Sequence, residues 1–476
     1  MKRNGLSVAV KMVVMGALAG SLIACGGSGS SDGDSSTAST GQDGRSVGAV
    51  TGFGSVYVNG TRFKTDGSVA SNDGLERENQ LHKGMVLKVS GSWNGQGEGQ
   101  ASEVAYDDTL RGPLTAASWD NAANTGELTL LGQKVTLDGK TVFRGASADD
   151  LVANPMGYRV RISGWRTAQG EFRASYVGAK KIGVQFDDDG NEAELEGIVA
   201  DLDATARTFT IAGYSVNYEL AIGDDDFDLA DLENGMAVEV EGYLQGDVLM
   251  AKEIDQEDDL FEDDDEVEIS GDIFAFDESA RTFTINGVQV QYSGGTEFDD
   301  MDSGNLQDGT YVKVEGEFRN GVLIAEEIEG QEGDAELSGE IQDFDRANEI
   351  LTVGGVKVWL TDNTLIETDS DQRRSREDDL NALQVGDYLE VEGRQRNTDG
   401  GYLEAFVIER EDDDDNGIAE IEGRVDAIGS GSLTIMNLEI LFNGYSAAGV
   451  RTGDEVEVEY TQNAGGEFVL TSNVSD

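Results

Sequence analysis

The octapeptide "ARTFTIAG" (Ala206–Gly213) returns as "ARTFTING" (Ala280–Gly287) 74 residues later. Self-similarity at a fixed period of this kind confines a chain to an architecture of repeated units. Four further segments share the pattern: "SVYVNGTRF" (Ser55–Phe63), "ELTLLGQKV" (Glu127–Val135), "ILTVGGVKV" (Ile350–Val358) and "SLTIMNLEI" (Ser432–Ile440). Each reads as two short alternating strands about a Gly or Asn turn, which is a hairpin signal. Ahead of each hairpin lies an opening strand with a glycine: Gly48, Gly112, Gly197, Gly271, Gly339 and Gly423. Behind each, a glycine turn enters an alternating strand: "KGMVLKVSG", "MGYRVRISG", "NGMAVEVEG", "DGTYVKVEG", "VGDYLEVEG" and "TGDEVEVEY". The turn glycines Gly84, Gly157, Gly235, Gly309, Gly386 and Gly453 are spaced by 73, 78, 74, 77 and 67 residues, and a closing strand follows each.

The same landmarks in the same order, six times over, define six units of about 60–75 residues. Each offers five strands, with a longer Asp-rich link between the third and fourth that has room for a short helix. Five strands in so small a unit cannot bury a face in an open sheet without leaving edges, so a small closed barrel is expected. Alternation agrees: in "AVEVEG" Val238 and Val240 point inward while Glu239 and Glu241 face water. A β-sandwich unit would ordinarily need about 100 residues. The expected class is all-β, a tandem array of six five-stranded OB-like barrels over residues 46–108, 109–184, 193–255, 266–330, 335–410 and 418–476. Acidic joints lie at 185–192, 256–265 and 411–417, with "EGQEGD" (Glu329–Asp334) between the fourth and fifth units. Blocks of like charge stay solvated and extended, so the array reads as beads on acidic linkers.

The N-terminus is set aside from fold reasoning. Lys2, Arg3 and Lys11 precede an apolar run from Met12 to about Leu18, then small residues and "LIAC" ending at Cys25. The run is too short to span a bilayer and fits a signal peptide over residues 1–24. "LIAC" resembles a bacterial lipobox, which implies lipidation of Cys25; an ordinary signal peptide with an incidental Cys25 is the alternative. Gly26 rather than Asp after the cysteine implies sorting to the outer membrane. Residues 25–45 form a Gly/Ser tether with a root-mean-square span of roughly 25 Å.

Charge sets further limits. With 94 Asp plus Glu against 34 Lys plus Arg the net charge is −60, and removing residues 1–24 takes three positive charges and no acids, leaving −63. Such a surface repels nucleic acid and favours cations or basic partners. Cys25 is the only cysteine, so no intrachain disulfide forms.

The chain resembles bacterial lipoproteins built of repeated OB-like domains of unknown function, which carry the line "GxV…D…TFTVxGxxV…T.F…L..G..VEVEG…G.L.A..I". The resemblance covers about residues 46–476, is clearest in units three to five and loosest in the first two. Unit six departs from it, with Tyr460 at the strand-end glycine. It implies the fold and the cell envelope as compartment, and it brings no catalytic residues.

Candidate chemistry is sparse. His82 is the only histidine, which removes histidine-based triads and zinc sites. Acids are so numerous that any carboxylate pair arises by chance, so pairs for glycoside-type hydrolysis carry no information. "DDDDNGIAE" sets Asp412, Asp414 and Asn416 at alternate positions before Gly417, as a calcium loop requires. Its twelfth position is Gly423, where an EF-hand has Glu, and a solvated linker is the plainer reading. Trp93, Trp165, Tyr243 and Phe318 each fall one or two residues after a fourth-strand glycine. They suit a stacking platform for sugar or a peptide side chain, or simply cover a barrel end. The expected function is a non-catalytic envelope lipoprotein serving as a binding or scaffold module. Its partners are the membrane through the anchor and envelope protein or carbohydrate, with no nucleic acid. The alternatives are a carboxylate-dependent hydrolase in one divergent unit, or an oligosaccharide-binding protein.

Overall fold

A computed structural model describes residues 42–474 except 72–74, 95–96, 107–109, 122, 167–171, 185–192, 224–226, 257–260, 262, 264, 332, 369–374, 399 and 412–416. Cys25 and its tether up to residue 41, and the calcium-loop residues Asp412, Asp414 and Asn416, therefore lie outside the described residues.

Each unit closes as the alternation requires. In the third, the strands Ala193–Asp203, Thr208–Ile211, Tyr214–Asn217, Ala237–Gln245 and Val248–Gln256 pair in the order first, second, third, fifth, fourth and back to the first. The third and fifth strands run parallel; every other pairing is antiparallel. The same circuit closes the first, second, fourth, fifth and sixth units. That is the OB-like five-stranded barrel. The link between third and fourth strands carries a short helix in units two and five, Ala148–Ala153 and Arg376–Ala382. Each starts at a reciprocal Ser/Asp cap, Ser147 with Asp150 and Ser375 with Asp378.

The strand-end glycine of "VEVEG" has a steric reason. At Gly91, Gly164, Gly242, Gly316 and Gly393 the fourth strand bulges against the fifth, and a Cβ would overlap the carbonyl oxygen of Gln100, Arg173, Met250, Ile324 or Glu404. Unit six has no such bulge, and there Tyr460 takes the position, buried and donating its hydroxyl to Gly354 O at 3.0 Å.

The units are not independent beads on extended joints. The long opening strand changes partners halfway. In unit three, residues 193–198 pair with the fourth strand, while Val199 onward pairs with the second. The first half therefore keeps one edge unpaired within its own barrel, and an unpaired edge is a template for another strand. The six edges satisfy each other in three pairs. Gly44–Val47 of unit one run parallel to Glu266–Ile269 of unit four. Leu110 and Arg111 of unit two pair antiparallel with Leu195 and Glu194 of unit three. Glu336–Ser338 of unit five pair antiparallel with Glu422–Glu420 of unit six. The cores fuse accordingly. Leu110, Val160, Leu195 and Val240 belong to one apolar cluster spanning units two and three, and Leu337, Val391, Ile421 and Val458 to another spanning five and six.

The pairs also touch one another. Lys83 of unit one meets Asp379 of unit five at 2.8 Å, with both side chains nearly buried. Asp300 of unit four meets Arg394 of unit five at 2.7 Å and also Arg396. Arg173 of unit two pairs with Asp272 of unit four, and Asn124 Nδ2 donates to Glu390 Oε1 at 3.0 Å. Acidic joints did not keep the barrels apart because burial of strand edges and apolar faces favours the seams, and joint residues are themselves drawn in, Asp265 standing 3.2 Å from Arg45 and Asp334 3.5 Å from Arg424.

Candidate ligand site at the junction of four barrels

The three seams solve the charge problem differently. Between units two and three, Arg111 is fully buried, with Glu194 and Glu241 each 2.9 Å from its Nη2. A buried cation of this kind persists only when carboxylates surround it. Glu239 and Glu241 do not face water as their alternation suggests: units two and three close over this strand face, so with Glu194 they make three buried carboxylates, and Arg111 already occupies their midst. Between units one and four, Ser46 Oγ donates to Glu268 Oε1 at 2.7 Å. Burial pushes the Glu268 carboxyl up to about 8 against the pull of Lys313. Between units five and six, glutamate faces glutamate.

Where units one, two, four and five converge, they enclose a cavity of about 110 Å3. Units one and five supply much of its apolar wall through Ala49, Val50, Leu365 and Phe406, and unit two adds Trp165. Units two and four supply the charge: Asp138, Lys140 and Arg173 from one, Lys313 with Tyr311 from the other. Arg173 is clamped by Asp138 and Asp272, and its guanidinium lies 5.0 Å from the Tyr311 ring centroid. Lys313 Nζ is held by Glu329 at 2.8 Å and Glu315 at 3.1 Å. Loss of water pushes the Tyr311 phenol up to about 12 despite Arg173 beside it. Lys140 is held more loosely. Its Nζ donates to Gln331 O at 3.2 Å, stands 3.8 Å from Glu392, and lies 5.0 Å from the Tyr311 ring.

The aromatic candidates are distributed, not gathered into one platform. Trp165, 8% exposed, and Phe318, 7% exposed, are packed into the apolar cluster of unit four, Phe318 with its ring 5.6 Å from Phe261. Tyr243 is half-buried on its strand in unit three. Trp93 is also half-buried, edge-on to Phe63 at 5.8 Å. It lines an open groove of about 690 Å3 along unit four, with Glu266, Glu297, Glu315 and Glu327. His82 stacks on Tyr176 of unit two at 5.7 Å, a contact between barrels.

Sequence reasoning missed the cavity residues. The available signal was the cation in place of glutamate in three of the alternating strands: Lys313, which lines the cavity, in "YVKVEG", Lys88 in "VLKVSG", and Arg159 and Arg161 in "YRVRISG". Those substitutions mark strand faces that other barrels cover.

No curated protein matches the chain. Among solved structures, drosophila Unr CSD456 is 15% identical, covering 47% of this chain and 98% of that one, with a TM-score of 0.14, too low to bear on the fold. The profile of a domain of unknown function, DUF5666, matches residues 46–105, 111–178, 196–255, 270–329, 338–403 and 422–471. Six matches over most of the chain, each falling on one closed barrel, mean that this protein belongs to the DUF5666 family and carries six copies of its domain.

Proposed function

We infer that the chain is a non-catalytic cell-envelope lipoprotein, held at the outer membrane through Cys25, whose six barrels form a binding scaffold for envelope carbohydrate or protein. The observation that carries this reading is the open groove of about 690 Å3 between units one and four. Trp93 offers an aromatic wall there, and Glu266, Glu315 and Glu327 supply acceptors along it. An apolar ring face flanked by a few acceptors suits the C–H face and hydroxyl donors of a sugar, or the stem and head of a lysine. A surface at −60 favours such partners over nucleic acid.

The test uses the mature lipoprotein and a panel of envelope glycans. Trp93→Ala should abolish retention while leaving the melting temperature within a few degrees. Cys25→Ser should move the protein from the membrane pellet to the soluble fraction. Retention indifferent to Trp93 would remove the groove from this account, and unchanged pelleting would remove the anchor.

A further inference from the structure

The junction cavity is separate from the Trp93 groove and has its own chemistry. The chain carries 94 acids and 34 bases, yet three of the four charged side chains on this wall are cations: Lys140, Arg173 and Lys313. Two of these have their charge committed elsewhere, Arg173 to Asp138 and Asp272 and Lys313 to Glu329 and Glu315. Lys140 differs. Of its three N–H donors one is directed to Gln331 O, and its nearest carboxylate oxygen is 3.8 Å away. An ammonium held between aromatic faces with donors to spare is a recognition group for an anion.

Size and polarity narrow the class. The volume of about 110 Å3 is smaller than the roughly 150 Å3 that accommodates benzene in an apolar core. Ala49, Val50, Leu365 and Phe406 leave one side of it without charge. Half-exposed Asn363 and Gln331 on its lining give access from solvent. A phosphate or sulfate would fit the charge and waste the apolar side. A fatty acid with a long tail would not fit the volume. We propose that the junction of units one, two, four and five is a binding site for a short branched or unbranched carboxylic acid, its carboxylate on Lys140 and its alkyl body against the Ala49, Val50 and Phe406 wall. Because four barrels build the wall, such a ligand would also tie the three barrel pairs together.

The experiment is calorimetric titration of the full mature chain with three probes of one shape: isobutyrate, isobutanol and isobutylamine. Isobutyrate is expected to bind in about the millimolar range or tighter, as its six or so non-hydrogen atoms allow, and the other two not to bind. Lys140→Met should weaken isobutyrate about tenfold or more, as loss of a charge-assisted hydrogen bond does. Ala49→Leu fills the space without touching charge and should abolish binding, which keeps the test decisive if Lys140→Met disturbs the junction. Trp93→Ala should leave isobutyrate binding unchanged, so this site and the groove stand or fall separately. Equal binding of isobutanol would make the cavity an apolar void and overturn the proposal. No binding of isobutyrate, or binding indifferent to Lys140→Met or Ala49→Leu, would overturn it as well.

Discussion

The seam between units five and six is built from like charges, and its stability should fall as pH rises. Cross-strand neighbours run Glu409, Glu390, Ser338, Glu420, Glu459 in one row and Glu392, Glu336, Glu422, Glu457 in the next. Opposed residues of this kind have Cβ atoms roughly 5 Å apart, and like charges so placed are destabilising. Burial, then Glu390 and Glu411, push the Glu409 carboxyl from its ordinary 4.5 up to about 7, and burial and Glu457 do the same to Glu420. Between those values the folded chain holds a proton that the unfolded chain has released. The sheet that crosses the seam is therefore fully stable below about pH 4.5 and loses stability as pH rises through about 7. A carboxyl moved that far corresponds to on the order of 3 kcal/mol, and solvent screening at a partly exposed seam leaves about 2. Glu409→Gln with Glu420→Gln removes the charges and keeps the shape. Amide exchange by mass spectrometry on peptides covering 388–396 and 419–424 reports local opening in a chain too large for two-state melting. At pH 8 the double variant should exchange about thirtyfold more slowly than the parent in these peptides. At pH 4.5 the two should match. Glu219→Gln, an exposed site in unit three, controls for net charge. Equal protection at pH 8, or the same gain at pH 4.5 or in the control, would refute the reasoning.

Two further outcomes follow from the packing. Residues 266–330 expressed alone lose Val47 and Trp165 from their apolar cluster and leave the Glu266–Ile269 edge unpaired. Removing a buried Trp alone costs about 3–5 kcal/mol, comparable to what one core of this size supplies. The fragment should show no cooperative thermal transition, whereas residues 42–330, which return both Val47 and Trp165, should restore one. Gly316→Ala places a methyl group against the Ile324 carbonyl at the bulge and should lower local stability by about 1–3 kcal/mol, read as faster amide exchange in peptides covering 311–319 and 322–330. Gly294→Ala, with nothing closer than 4.0 Å, should be neutral.

The barrel itself was legible because its information is local. Hairpin turns, the period-two strands and the bulge glycines all sit within one unit, and even the exception at Tyr460 marked a real difference, the unit without a bulge. What the sequence hid is which barrels join. Unit one pairs with unit four, across two intervening domains, and that choice depends on a few residues of each opening strand, such as Ser46 opposite Glu268. The acidic joints pointed the other way. A run of aspartates reports only on its own solvation, not on the edges it connects. The aromatic series after the fourth-strand glycine was visible as a series, yet Trp165 is buried where barrels pack, Phe318 is buried against Phe261 of the adjoining joint, and Trp93 lines a groove. One position in the repeat serves different environments once the copies are assembled.

The half-free edge of the opening strand makes copy number a matter of parity. Among the described residues, the six opening strands meet one another in three pairings within one molecule. A relative with five copies, assembled by the same rule, would retain one edge and would meet it with a second molecule's, as a dimer. Growth of such an array by a single domain thus changes its oligomeric state, while growth by two preserves it. Gene duplication in steps of two is the route that gives every opening strand a partner within its own chain.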